Sequence, residues 1–415
     1  MLFRLGWRNL WRNTRRSLIT MAGLGVAFGF LIVLIGFSRG LSLQLLRNGT
    51  ELMVGHIQVH DAQYLPDRVL YDTIGGRDGA DWHAIVARMN QHPAVRHAAP
   101  RVYAFGLLST GTRSSGGQIV GVDPAAEQGL NRLFTRDLVA SLSGPHAIAL
   151  GERLALDLGA VVGDDVAVIA PASDGTQGNE LFRLTAIVRT GLPALDRSLA
   201  LTRLDDAQSL LALEPERIHE IAVAVGDPMD AAVVAPELAR TAGLPEHTVV
   251  QGWRDLLPQL SNYIAFVRAI NAFIIGLIVL FSSMGVLNTM AMATFERVRE
   301  FGMLNAIGMK PSAIIASVLL ESLFLVSLGL ASGLGLGAVL MAYLTTRGLN
   351  LSWLTGELAM FESRLDPVVK GVWDWQTIPW AALSLAVATV AAAYWPSRRA
   401  TRVDPVEALQ APVMR

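Results

Sequence analysis

Apolar residues gather into uncharged runs at 17–38, 269–295, 322–346 and 375–397, while the long stretch between the first two runs shows the short alternations of a water-soluble fold. A helix rises about 1.5 Å per residue and the hydrocarbon layer of a bilayer is about 30 Å thick, so roughly 20 uncharged residues make one span. Each run meets that length. The pattern predicts an α-helical membrane protein with one leading and three trailing transmembrane helices, carrying a large α+β extracytoplasmic domain of two lobes on a helical stalk. The first run is about twice as long as the apolar part of a signal peptide, and Phe37, Ser38, Arg39 and Gly40 that follow it form no small-residue cleavage site, so it is expected to stay as a span.

The expected organisation is an amphipathic helix at 1–16, spans at 17–40, 267–294, 313–346 and 375–396, the α+β domain with its stalk helices at 41–266, a cytoplasmic loop and helix at 295–312, a short outer loop at 347–374 and a tail at 397–415. Apolar residues at helical spacing in 41–52, and again after Pro258, extend spans one and two into the stalk. Inside the domain, strands are predicted at 55–60, 101–109, 118–122, 166–170, 182–188 and 218–225, helices at 151–158, 204–213 and 229–242, and exposed turns at 114–117 and 174–179.

Charge supplies the orientation. Arg4, Arg8, Arg12, Arg15 and Arg16 precede the first span without an acidic residue, which places the N-terminus in the cytoplasm. Four spans return the C-terminus to the same side, and Arg297, Arg299 and Lys310 after span two and Arg398, Arg399 and Arg402 after span four agree with that side. Arg4, Arg8 and Arg12 share one face of the opening segment and Phe3, Trp7, Leu10 and Trp11 another, as in a helix lying on membrane lipid. The formal net charge of −1 gives no reason to expect nucleic acid as a partner, and the absence of cysteine excludes disulfides and thiolate chemistry.

Motifs for chemistry are missing. No Gly-x-x-x-x-Gly-Lys-Ser/Thr, Gly-x-Ser-x-Gly or His-Glu-x-x-His occurs, so the expectation is no catalytic, cofactor or metal site in this chain, no enzyme activity of its own, and ATP with its magnesium held by a partner. His56 and His60 share a strand face beside Asp61, and are expected to be a solvated or half-buried pair, not metal ligands. Gly329, Gly333 and Gly337, four apart in span three, suit a close helix contact, within the protomer or across a dimer. Glu321, near the membrane in the same span, is expected to be satisfied by about one helical turn of snorkelling or by a partner such as Arg297 or Lys310.

The most specific segment runs from Phe295 to Ser312. Val298, Phe301, Leu304 and Asn305 are expected on one face of a short helix, with Glu296, Arg299 and Glu300 turned elsewhere; Gly308 ends it, and Pro311 opens the next helix. Such a helix could cap the bundle or dock in a groove of another protein.

Residues 296–310, with Glu296, Arg297, Glu300, Gly302, Leu304, Ala306, Ile307 and Gly308 in place, resemble the signature of FtsX-like ABC permeases, the superfamily that includes the MacB-type exporters and the lipoprotein-releasing LolC/LolE permeases. The tail, with Pro396, Arg398, Arg399 and Pro405, and the opening residues 7–18 are similar to the same family. Gly55-His-Ile-Gln-Val, Leu150-Gly-Glu-Arg-Leu-Ala and Gly252-Trp-Arg-Asp-Leu-Leu-Pro resemble its lipoprotein-releasing branch. The resemblance implies a bacterial inner-membrane permease with a periplasmic domain. Two permease chains, as a homodimer or heterodimer, would work with two copies of a separate ABC ATPase seated on the 295–312 helix. Unlike MacB-type chains, no ATPase domain is expected fused at the N-terminus. The substrate implied is a lipoprotein or another amphipathic molecule; a periplasmic partner is a further possibility. The alternative is a non-transporting FtsX-like regulator that activates a periplasmic cell-wall hydrolase.

Overall fold

The computed structural model describes residues 2–65, 68, 70–76, 79–350 and 368–401. It divides into a helical unit, drawn from residues 2–42, 264–350 and 368–401, and a sheet domain over 43–263. In chain order, α1 (Leu2–Leu10) and α2 (Thr14–Gly49) come first, followed by β1 (Ile57–Asp61), α3 (Trp82–Gln91), β2 (Val95–Ser109), β3 (Ser114–Val122), α4 (Pro124–Glu127) and α5 (Arg136–Ser141). Then come β4 (Ala147–Gly151), α6 (Glu152–Leu158), β5 (Asp165–Pro171), β6 (Gln177–Val188), α7 (Pro193–Ser198), β7 (Leu199–Arg203), α8 (Leu204–Leu210) and β8 (Glu220–Val225). The chain continues through α9 (Ala231–Thr241), β9 (Thr248–Gly252), α10 (Trp253–Leu256), α11 (Pro258–Phe295), α12 (Val298–Ala306), α13 (Pro311–Thr346) and α14 (Thr377–Ala400).

Helices α2, α11, α13 and α14 are each long and apolar enough to cross a membrane. Water-facing sequence cannot make such helices, because their side chains are apolar around the whole circumference. Their shared core contains Leu24, Phe28, Leu31, Ile32, Val286, Val318, Leu325 and Leu385. The close approach of α13 to α2 depends on the three glycines. A Cβ placed on Gly329 would lie 2.7 Å from the Leu24 Cβ, one on Gly333 2.6 Å from the Gly25 carbonyl oxygen, and one on Gly337 2.8 Å from the Ile32 Cδ1. The contact is therefore within one chain. Helix α11 is the least covered, with 6% of its most apolar stretch buried against 44% for that of α2.

In the sheet domain, β1, α3, β2, β8, α9 and β9 form a β-α-β-β-α-β unit with the antiparallel strand order β2-β8-β1-β9, the ferredoxin-like arrangement. The chain between its second and third strands builds a second sector. There β3, β7, β4, β6 and β5 follow one another, and β2 pairs with both β3 and β5, so six strands close in a ring. The fifteen-residue β2 belongs to both sectors: Val95–Arg101 pair with β8 and Arg101–Ser109 with β3. One face of the ring carries a buried cluster of Tyr103, Val120, Val122, Ala147, Ala149, Leu199 and Leu201, packed against Phe134, Leu138 and Leu142 of α5 and its flanks.

Several expectations change. Residues 114–117 are the first part of β3, not a turn; Ser109 pairs with Ser114, and the reversal takes place at 110–113. Two glycines and two serines hide the alternation of an edge that lacks large side chains. Strands β4, β7 and β9 and helix α3 were not foreseen. His56 and His60 are more deeply enclosed than a half-buried pair: the Val225 N–H donates to His56 Nδ1 at 3.0 Å, and His60 Nε2 lies 3.2 Å from Gln251 Oε1. Among the described residues no group of His, Cys, Asp and Glu is arranged to hold a metal ion.

Candidate coupling site

Helix α11 ends at Phe295, and Arg297 starts α12 with a turn of the backbone. The nine residues of α12 are too few to be stable as an isolated helix, so neighbouring contacts must fix it. Phe301 and Gly302 are buried, and Phe301 joins the core that contains Leu10, Ile314 and Val318. Gly308, at φ +95°, adopts the left-handed conformation that lets the chain reverse; Lys310 and Pro311 then start α13.

A chain of ion pairs surrounds this helix. Arg297 Nη1 donates to Glu321 Oε2 at 2.8 Å, with both side chains mostly buried, and Arg297 Nε lies 3.3 Å from Glu300 Oε2. Arg12 reaches Glu300 at 2.8 Å, and Arg16 reaches Glu296 at 3.1 Å. Partial burial opposes ionisation of Glu300, but the hydrogen bond and charge of Arg12, with Arg297 behind it, hold its carboxyl below the ordinary range. Glu321 thus has one of the two partners expected from sequence.

The opposite side of α12 is open. Ile307 is 85% exposed, Met303 46% and Leu304 39%, with Arg299, Ala306 and Gly308 exposed beside them. Two details therefore differ from the sequence reading. Leu304 does not share the buried face of Phe301, because the stripe that packs inward runs through Val298, Phe301, Gly302 and Asn305; and Glu300 is not a free outward charge but the hub of two arginines. In the tail, Pro396 is buried within α14, and Arg398 and Arg399 are exposed; Pro405 lies outside the described residues.

Sequence reasoning also missed how α1 is held. Phe3 and Trp7 meet the Phe324 ring edge-on at 4.8 and 5.5 Å, and the Ser17 hydroxyl donates to the Leu10 carbonyl at 2.7 Å. The aromatic face at 3, 7 and 11 was legible as amphipathic, but Phe324 as its counterpart was not, since a phenylalanine within an apolar span carries no pairing signal.

The sheet domain has polar features of its own. A cleft of about 610 Å³ is lined by residues that include Trp82, His83, Asn90, Asp123 and Arg203. Where β2 passes from one sector to the other, Arg101 is fully enclosed: its Nε lies 2.5 Å and its Nη2 2.9 Å from the Glu127 carboxylate, and its Nη1 lies 3.7 Å from Glu220. Gln58 donates to Glu220 as well, and burial pushes the Glu220 carboxyl above its ordinary value. His219 accepts the Tyr103 N–H at 3.0 Å and lies 3.0 Å from the Leu70 carbonyl; burial lowers it to about 4, so it is held neutral.

The family model described as the FtsX-like permease C-terminal matches residues 272–405, and that of the MacB-like periplasmic core domain matches residues 17–241. The lipoprotein-releasing system transmembrane protein LolC of Neisseria meningitidis serogroup B is 25% identical over 96% of this chain and 95% of its own length. LolE of Haemophilus influenzae is 20% identical over 98% of each. More distant is the macrolide export ATP-binding/permease protein MacB of Sodalis glossinidius, 23% identical over 95% of this chain and 58% of that protein. The four apolar helices make this a membrane protein, and with both models matched in sequence along it, the chain belongs to the FtsX-like ABC transporter permeases with a MacB-like periplasmic core domain.

Proposed function

We propose that this chain is the membrane subunit of a transporter in which a separate ATPase, two copies of it serving two permease chains, drives the periplasmic domain through α12. The carrying observation is the exposed apolar face of α12, with Met303, Leu304 and Ile307 outward and Phe301 and Arg297 fixed behind them. An apolar side chain as exposed as Ile307 suits insertion into a partner's pocket, and a firmly backed helix passes displacement onward. Helices α2 and α11 continue well past the length of a span, as an element carrying motion out of the bilayer must. The arginines of 4–16 and 297–299 support a reading with α12 and both termini in the cytoplasm and the sheet domain in the periplasm of a bacterial inner membrane. ATP and magnesium belong to the partner, and the chain itself is not an enzyme.

The substrate in this reading is a lipoprotein or another amphipathic molecule taken from the outer leaflet. Near full-length correspondence to LolC and LolE supports transport over the alternative of a regulator for a cell-wall hydrolase. The test is Ile307→Asp in proteoliposomes containing the permease with its co-purified ATPase. Hydrolysis coupled to substrate release is expected to fall at least tenfold, with the protein still folded; unchanged coupling would overturn the role of α12.

A further inference from the structure

The ion pairs between the start of α2 and the region of α12 match in spacing. Arg12 and Arg16 stand four residues apart, as do Glu296 and Glu300, and they pair in opposite order, 12 with 300 and 16 with 296. Arg12 lies in the turn before α2 and Arg16 in its first turn, Glu296 in the turn after α11 and Glu300 in the first turn of α12, so the two pairs tie the entry of one helix to the entry of the other. The neighbouring packing supports it. Phe324 holds α1, Leu10 is fully buried, the Ser17 hydroxyl closes the turn between α1 and α2, and Thr20 Oγ1 lies 3.4 Å from Thr289 Oγ1 of α11. Helix α12 is joined to α11 and α13 by short turns and has little intrinsic stability.

We propose that Arg12 and Arg16 are positioning residues: they form a latch that sets the orientation in which α12 presents Met303, Leu304 and Ile307, and they tie that helix to the first span. This rests on α12 being the coupling helix, but the latch can be tested without a partner. Each pair is partly exposed and weak alone, whereas reversing both arginines replaces two attractions by two repulsions. The latch therefore acts on α12 and leaves the glycine-packed core untouched.

The experiment is hydrogen exchange on the full chain in nanodiscs of phosphatidylethanolamine and phosphatidylglycerol. Arg12→Glu with Arg16→Glu is expected to speed exchange of the 298–307 amides about tenfold while protection in α13 persists. For Arg16→Glu alone a smaller rise is expected, and adding Glu296→Arg as the charge swap, which leaves the Glu300–Arg297 pair in place, is expected to reverse it. Unchanged exchange in the reversed protein, or no rescue by the swap, would overturn the latch. A second measurement covers a general loss of fold: in this cysteine-free chain, Arg12→Cys with Glu300→Cys is expected to form a disulfide at least tenfold faster than Arg8→Cys with Glu300→Cys, and equal rates would refute the proposal. If the latch passes while Ile307→Asp leaves coupled hydrolysis unmoved, the coupling reading falls and the latch stands.

Discussion

The sheet domain and the helical unit both gather arginine and glutamate, yet apart from the mostly buried Arg297–Glu321 pair the helical unit leaves its cluster open where the sheet domain seals it. Arg101, Glu127 and Glu220 are sealed between β2, α4 and β8, whereas Arg12, Arg16, Glu296 and Glu300 are partly open to solvent. A sealed cluster gains little over an apolar core, but loses heavily if one member is taken away. An open cluster gains little and loses little. Burial thus separates a cluster that tolerates no loss from one that does, and the open cluster sits beside the helix proposed above to couple to a partner.

The largest effect expected from this contrast is at Arg101. Arg101→Met leaves the enclosed Glu127 without its guanidinium and Glu220 with one cation fewer, and should cost the sheet domain about 3–5 kcal/mol in denaturant unfolding followed by tryptophan fluorescence. A cost under about 1 kcal/mol would erase the distinction between the two clusters.

Acid provides the next test. His56 and His219 are both lowered by burial to about 4 from an ordinary 6.5, so the folded state favours their neutral forms. Their contribution is complete above pH 6.5 and is lost as pH falls from there toward 4, by at most about 3 kcal/mol for each histidine. Glu300 is shifted downward, so its share persists until pH falls below its ordinary value of 4.5. Unfolding measured from pH 7.5 to 4 should therefore weaken the sheet domain first. His219→Gln should flatten the slope, and an unaltered slope would rule His219 out as its source.

A smaller effect separates two helices of one unit. Gly333 of α13 lies against α2, whereas a Cβ on Gly285 of α11 would meet nothing within 4 Å. Gly333→Leu should cost about 1–3 kcal/mol or more by overpacking, and Gly285→Leu less than about 0.5 kcal/mol, in thermal unfolding of the detergent-solubilised chain. Equal losses would show that α11 is covered in a way this chain by itself does not provide.

How much of this was legible beforehand follows from the strength of each signal. Long uncharged runs fix membrane helices because no other structure satisfies so much backbone in hydrocarbon, and the start of α11 at Pro258 and the glycine contact followed from local rules. The Glu321 pairing was readable because a carboxylate near a membrane needs a cation, and few were near. Strands β4, β7 and β9 were missed because five residues buried on both faces, as in β4 and nearly all of β7, or half-buried nearly throughout, as in β9, show no alternation, and β7 is set by pairing with β3 and β4 from distant parts of the chain. The orientation of α12 was only half readable. Its apolar residues nearly encircle it, and whether Leu304 or Gly302 turns inward is decided by Phe301, Leu10 and the arginines, none of which the local pattern specifies.

The pairing of β1 with β9 has a mechanical corollary. Ile57 at the beginning of β1 stands opposite Gly252 at the end of β9, so the two strands leave the sheet from the same end, one toward α2 and the other toward α11. Tension pulling those ends apart would load the rungs singly, like the teeth of a zip, and such a seam tears under modest force. Tension applied to both ends alike would not open it at all. Under the coupling proposed above, the connecting helices would have to move as a yoked pair, since a stroke that spread them would begin to undo the edge of the sheet.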